Sequence, residues 1–141
     1  MAKPPKTLEM LSSVPLFDGL SKRELQAVFR LGDIVEHPAG EAIVREGAAG
    51  AGFHLVLEGT AKVRMGGRTR KVLGPGDYFG EMALIDKGRR SATVLAETAV
   101  TTLVISSWNF NPLIERFPSI ARKLLIELSR RVRALEKSLT H

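Results

Sequence analysis

The chain of 141 residues contains no cysteine. That excludes disulfide cross-links and thiolate metal sites, and it agrees with a reducing cytoplasm. Aromatic residues are scarce, with one Trp, one Tyr and six Phe, and no nucleic-acid reader motif accompanies them. His54 has neither a second His nor a carboxylate at ligand spacing, so it reads as a strand histidine rather than a metal ligand. No nucleophile sits beside a base, and no catalytic carboxylates are paired, so nothing points to an enzyme or to a cofactor. The first residues, MAKPPKTLEM, lack an apolar signal core, and no hydrophobic run approaches the length of a bilayer. The sequence therefore predicts a soluble cytoplasmic protein without a membrane segment. No internal repeat is visible.

What is present is an ordinary globular composition, 44% hydrophobic and 26% charged, in a chain of one-domain length able to bury a core. The 21 Lys and Arg exceed the 15 Asp and Glu, a net charge of +6. Part of that surplus falls on Arg64, Arg68, Arg70 and Lys71 around an expected hairpin, and part on the terminal helix. We read it as a solvated basic surface in preference to a nucleic-acid face; under either reading it draws in anions.

Punctuation divides the chain. Residues 1–6 read as a flexible arm, with Pro4-Pro5 opposing a helix, and residues 7–141 as a single domain. Within it, 7–31 holds the N-terminal helices. Leu8 to Ser13 is a short helix, and a second starts at Ser21, which forms a capping box with Glu24. From 34 to 106, short runs of Val, Ile, Thr and Leu broken by glycines predict an antiparallel β-sandwich or jelly-roll barrel. Phe53, Leu55 and Leu57 share one strand face. Residues 107–141 form a hinge and C-terminal helices, with Trp108 expected to pack in the hinge. The helix opening at Pro118 carries a stripe of Ile120, Leu124, Leu128, Val132, Leu135 and Leu139, widened by Leu125 and Ile126. Its partner is either the domain's own sheet or the same helix of a second subunit.

The segment PGDYFGEMALIDKGRRSAT, Pro75 to Thr93, is the most informative. Pro75-Gly76 makes a turn, and Gly80 lets the backbone pass close to a neighbour. Glu81 to Ile85 is long enough for one helical turn, whose first N–H groups lack intrahelical acceptors and so favour an anion. Arg90 adds a fork of donors matched to phosphate oxygens, and Ser91 a hydroxyl. Alone, Arg90 reads as a surface arginine and Glu81 as an acid favoured by the helix dipole. Together they pose a question, because a carboxylate beside a phosphate needs a hydroxyl to accept from and a cation to offset it. A ribose 2′-hydroxyl and Arg90 answer both needs.

FGEMAL followed by RSATV resembles the phosphate-binding cassette, here residues 79–93, of the cyclic-nucleotide-binding domain family. VPLFDGLSKREL (Val14 to Leu25), GEAIVREGAAG (Gly40 to Gly50) and FHLVLEGTAKV (Phe53 to Val63) precede it in family order. LVIS (Leu103 to Ser106), Phe110 at the hinge position and the helix at Pro118 follow. One departure stands out: the family often has an acidic residue after the glycine found here at Gly47, where this chain reads Ala48-Ala49-Gly50-Ala51-Gly52.

The resemblance implies a non-catalytic sensor of 3′,5′-cyclic AMP, with cyclic GMP bound more weakly. Arg90 and Ser91 would hold the phosphate, Glu81 the ribose, and the amides of Gly80, Glu81, Met82 and Ala83 the pocket floor. Serine at position 91, where cyclic-GMP-preferring relatives tend to have threonine, favours cyclic AMP. Val63 and Leu73 match positions that meet the purine, although core packing explains them equally well. Arg131 stands where some prokaryotic members cap the base, with Arg130 and Arg133 as competitors. Arg89 is read as a surface residue. The terminal helix would act as lid and, farther along, as a homodimer contact, with closure as the signal to a downstream protein. Two other classes compete with the sensor: a sensor fragment of a longer regulator, channel or fused enzyme, and a dimerising or docking module that has lost binding. A DNA-binding domain is not expected between the terminal helix and His141.

Overall fold

The computed structural model describes residues 3–48, 52–86 and 88–140. Met1 and Ala2 of the expected arm, Ala49 to Ala51 of the departing loop, Lys87 and His141 lie outside the described residues. Two α-helices, α1 (Thr7–Ser12) and α2 (Lys22–Arg30), flank a 3-10 turn at Pro15–Phe17. Among the described residues eight strands follow: β1 (Asp33–His37), β2 (Ala42–Val44), β3 (Gly52–Glu58), β4 (Ala61–Met65), β5 (Arg68–Leu73), β6 (Tyr78–Phe79), β7 (Thr93–Ala96) and β8 (Val100–Ser106). A second 3-10 turn, Glu81–Leu84, interrupts them, and α3 (Ser107–Arg116) and α4 (Pro118–Thr140) close the chain.

The strands build two four-stranded antiparallel sheets, ordered β1-β8-β3-β6 and β2-β7-β4-β5. This is the expected β-sandwich of jelly-roll type. Alternation along β3 assigns its side chains to two cores. Phe53, Leu55 and Leu57 face the helices, joining Phe17, Val28, Phe110, Ile120 and Leu124; Val56 faces inward, joining Ala61, Leu73, Val94, Ala96 and Val100. Phe17 meets Phe53 edge to face with ring centres 5.7 Å apart, a favoured geometry for aromatic pairs.

The helices depart from expectation at two places. The expected hinge is itself helical from Ser107, because the last strand runs directly into α3 with no loop between them. Trp108 does not pack in the hinge; it is 66% exposed, whereas Phe110 two residues on is fully buried. The apolar stripe of α4 is used only in part. Ile120 and Leu124 are buried, while Leu125, Ile126, Val132, Leu135 and Leu139 are exposed.

Glu24 ties the two ends of the chain together. Its carboxylate completes the capping box with Ser21, accepts from Ser119 Oγ at 2.6 Å and pairs with Lys123 Nζ at 2.5 Å. Burial alone would raise its pKa, but Lys123, Ser119 and Ser21 outweigh that and hold it at about 2. The folded-state pKa lies below the ordinary value of 4.5, so this stabilisation is full above about pH 4.5 and is lost as pH falls toward 2. Accordingly, Glu24→Gln should lower the urea midpoint at neutral pH and flatten the stability decline between pH 4.5 and 2. An acid limb identical to wild type would contradict this role.

Candidate functional site

The turn at Pro75-Gly76 aims the cassette. Gly76 has φ of +92° and its N–H donates to Val56 O at 2.8 Å, which pins the turn to β3. The two-residue strand β6 then pairs His54 with Phe79 and Leu55 with Tyr78, so the chain leaves the sheet at Gly80. Gly80 is left-handed, with φ of +78°, a conformation that favours glycine. Space demands glycine as well, since a Cβ there would meet the Arg90 guanidinium and lie 2.6 Å from Gly52 O.

The Glu81–Leu84 turn starts immediately after it. Its first N–H groups lack intrahelical acceptors, but the Ala83 N–H is spent on Gly80 O at 3.0 Å. Ala83 thus contributes its position and not its amide, narrowing the expected floor to Gly80, Glu81 and Met82.

Arg90 reaches back under this turn. An Nη donates to Gly52 O at 2.7 Å, and among the described residues no carboxylate pairs with the guanidinium. Burial pulls its pKa below the ordinary arginine value. A half-buried cation without a counter-ion favours an anion beside it. The backbone holds Arg90 from both directions, its N–H donating to Ala48 O and its O accepting from Gly47 N–H, each at 2.8 Å. The loop that lacks the family's acidic residue is therefore fastened through main-chain bonds at its described edge.

A cavity of about 300 Å³ opens between this cassette and the second sheet, lined by Gly80, Glu81, Met82, Ala83, Arg90 and Ser91 together with Val63. Seven of the nine expected site residues thus converge on one space. Leu73 does not join them, being 1% exposed in the inner core. Arg131 approaches from α4, its Nη1 3.6 Å from Glu81 Oε1 and its Nε 4.0 Å from Glu127 Oε1. Of its competitors, Arg130 pairs with Glu127 at 3.5 Å, and Arg133 lines a groove with Leu125 and Val132. Arg89, read from sequence as a surface residue, is exposed but lines the cavity as well, held by a 2.7 Å bond from Nη1 to Gly47 O. Asp86 and Val44 also line it. Val44 was legible as a strand residue only, because the contact depends on how the two sheets close.

Among the described residues no group of three or more His, Asp or Glu could hold a metal ion, and no helix is long and apolar enough to cross a membrane. The geometry at Gly80 yields a test. Gly80→Ala should lose at least about 1–2 kcal/mol from the left-handed backbone, plus the cost of displacing Arg90, read as a lower urea midpoint; an unchanged midpoint would show that the cassette tolerates a side chain there.

Comparison with known proteins agrees with this arrangement. The family described as "Cyclic nucleotide-binding domain" matches residues 34–117. The cyclic AMP receptor protein of Thermus thermophilus is 35% identical over 130 residues, covering 89% of this chain and 60% of that protein. A cyclic nucleotide-gated potassium channel of Mesorhizobium japonicum is 38% identical over 122 residues, covering 84% of this chain and 34% of the channel. The chain thus spans less than two thirds of the length of either. The crystal structure of the N-terminal domain of a transcriptional regulator from Streptomyces coelicolor superposes with a TM-score of 0.85 at 30% identity, covering 92% of this chain and 94% of that one. With the cassette, the two sheets and the terminal helix in family order, the chain belongs to the cyclic nucleotide-binding domain family.

Proposed function

We propose that the chain is a non-catalytic cytoplasmic sensor of 3′,5′-cyclic AMP, binding cyclic GMP more weakly. The observation that carries this reading is the juxtaposition, on one cavity wall, of the Glu81 carboxylate with a half-buried Arg90 that no carboxylate pairs among the described residues. Arg90 and Ser91 take the cyclic phosphate, the free amides of the Glu81–Leu84 turn add donors, and Glu81 accepts from the ribose hydroxyl. Val63 meets the base. Charge-assisted hydrogen bonds of ~1.5–3 kcal/mol each, with apolar contacts, reach the roughly −8 kcal/mol of micromolar binding.

Arg131 is the favoured cap for the base. Its ion pair with Glu81 already brings α4 to the cavity, and the same guanidinium can stack on a purine. The nucleotide then favours whichever position of α4 completes the pocket, and that preference is the signal. Farther along, the exposed Leu125, Val132, Leu135 and Leu139 supply the apolar seam of a homodimer. The downstream partner belongs to whatever protein carries this domain. The similarity to a receptor protein and to a gated channel supports a sensor within a longer regulator or channel as the second reading.

Calorimetric titration tests the site. Wild-type protein should bind cyclic AMP more tightly than cyclic GMP, and Arg90→Ala should weaken binding at least about tenfold, equivalent to ~1.4 kcal/mol. Arg131→Ala should produce a smaller loss. Heat with neither nucleotide sinks the sensor reading, and unchanged affinity in Arg90→Ala moves the phosphate elsewhere. Light scattering should report a dimer that Leu135→Glu converts to monomer; a monomeric wild type would remove the seam.

A further inference from the structure

Arg90 borders two cavities. Besides the one already described, a second of about 320 Å³ includes Arg90 and Val44 in its lining and continues between the sheets past Val35, Ile43 and Val104. Its lining also includes Asp33 and Trp108, both exposed, so it opens to solvent there. Nothing in the proposed nucleotide site uses this space.

Two polar residues, Arg90 and His54, border it. The Arg90 guanidinium has five N–H donors, one of which serves Gly52 O, and no carboxylate neutralises it among the described residues. His54 is 9% exposed, its ring lies flat on Phe79 with centres 4.7 Å apart, and its Nδ1 is buried without a hydrogen-bond partner. Burial, then the nearby Arg90 and His37, hold the imidazole at a pKa of about 3, so it is neutral at pH 7 and offers one donor and one acceptor.

We propose that this second cavity binds a small apolar monocarboxylate, with the carboxylate on the Arg90 guanidinium and the hydrocarbon chain against Val35, Ile43 and Val104. An anion here takes up guanidinium donors that Gly52 O leaves over, and the branched aliphatic walls favour methylenes over a sugar. The Asp33 carboxylate at the opening disfavours dianions such as phosphate monoesters. Because both cavities draw on one guanidinium, an acid in the second lowers the affinity of the first for a nucleotide phosphate, and the effect is reciprocal. That coupling rests on the reading of Arg90 as the phosphate ligand; the site itself does not.

Trp108 is the only tryptophan and reports directly. Titration with octanoate should give a saturable change in Trp108 emission, absent with 1-octanol at equal concentration and abolished in Val35→Phe, which fills the cavity. Calorimetry should then show cyclic AMP binding at least about threefold weaker in saturating octanoate. No saturable change in wild type, an equal change with octanol, or a change that survives in a folded Val35→Phe would each overturn the site. Should Val35→Phe fail to fold, the octanoate and octanol comparison on wild type decides. Failure of cyclic AMP to bind at all removes the sensor reading, while the fluorescence titration still decides the second cavity. Nucleotide affinity unchanged by bound octanoate overturns the coupling.

Discussion

A half-buried cation with no counter-ion among the described residues organises the site. Arg90 sits half-buried with a single carbonyl acceptor at Gly52, and desolvation works against its charge. A buried group of this kind is costly unless something compensates it, and several local features make sense as its accommodation. Gly80 has no side chain because a Cβ would strike the guanidinium. The backbone bonds between Arg90, Gly47 and Ala48 fix the segment from which it projects. Gly52, its acceptor, lies opposite Ser106 at the end of β8, so Arg90 is also joined through one strand pair to the point where α3 begins.

The terminal helix has two polar anchors of different strength. Near its start, Ser119 and Lys123 lock onto the partly buried Glu24, where limited solvent access strengthens each bond. Two to three turns later, Arg131 meets Glu81 at 3.6 Å, beyond ordinary hydrogen-bond distance, so this contact is weaker. The helix is thus held firmly at one end and weakly where it passes the cavity. A weak contact there suits a binding element, because a ligand that engages the same two side chains can outweigh it.

Much of this was legible in the sequence, and the limits have physical causes. Short-range signals transferred well. The Ser21 and Glu24 capping box formed as spelled out, the alternation of Phe53, Leu55 and Leu57 marked a buried face, and Pro118 opened the last helix. The cassette was readable because its chemistry is packed into a few consecutive residues. What failed depended on long-range closure. Leu73 and Val63 carry equivalent sequence signals, yet the inward position of Leu73 opposite Ala61 buries it in the core, while Val63 opposite Lys71 remains at the cavity. Arg89 and Arg90 are adjacent, and only the fold shows that both border the cavity. The position of Trp108 after the last strand suggests hinge packing, but helix phase turns Phe110 inward and leaves the indole outside. The Ala83 amide, indistinguishable in sequence from its neighbours, is bonded inside the turn to Gly80 O.

The account stands on Arg90 as the phosphate ligand, and its side-chain resonance gives the most direct view. Protein labelled with 15N arginine, titrated with cyclic AMP, should show the Arg90 Nε–H peak, assigned by its loss in Arg90→Lys, shifting and saturating at one nucleotide per chain. Its exchange with water should slow as the phosphate closes over it. An Arg90 signal unmoved at saturating nucleotide would contradict the account.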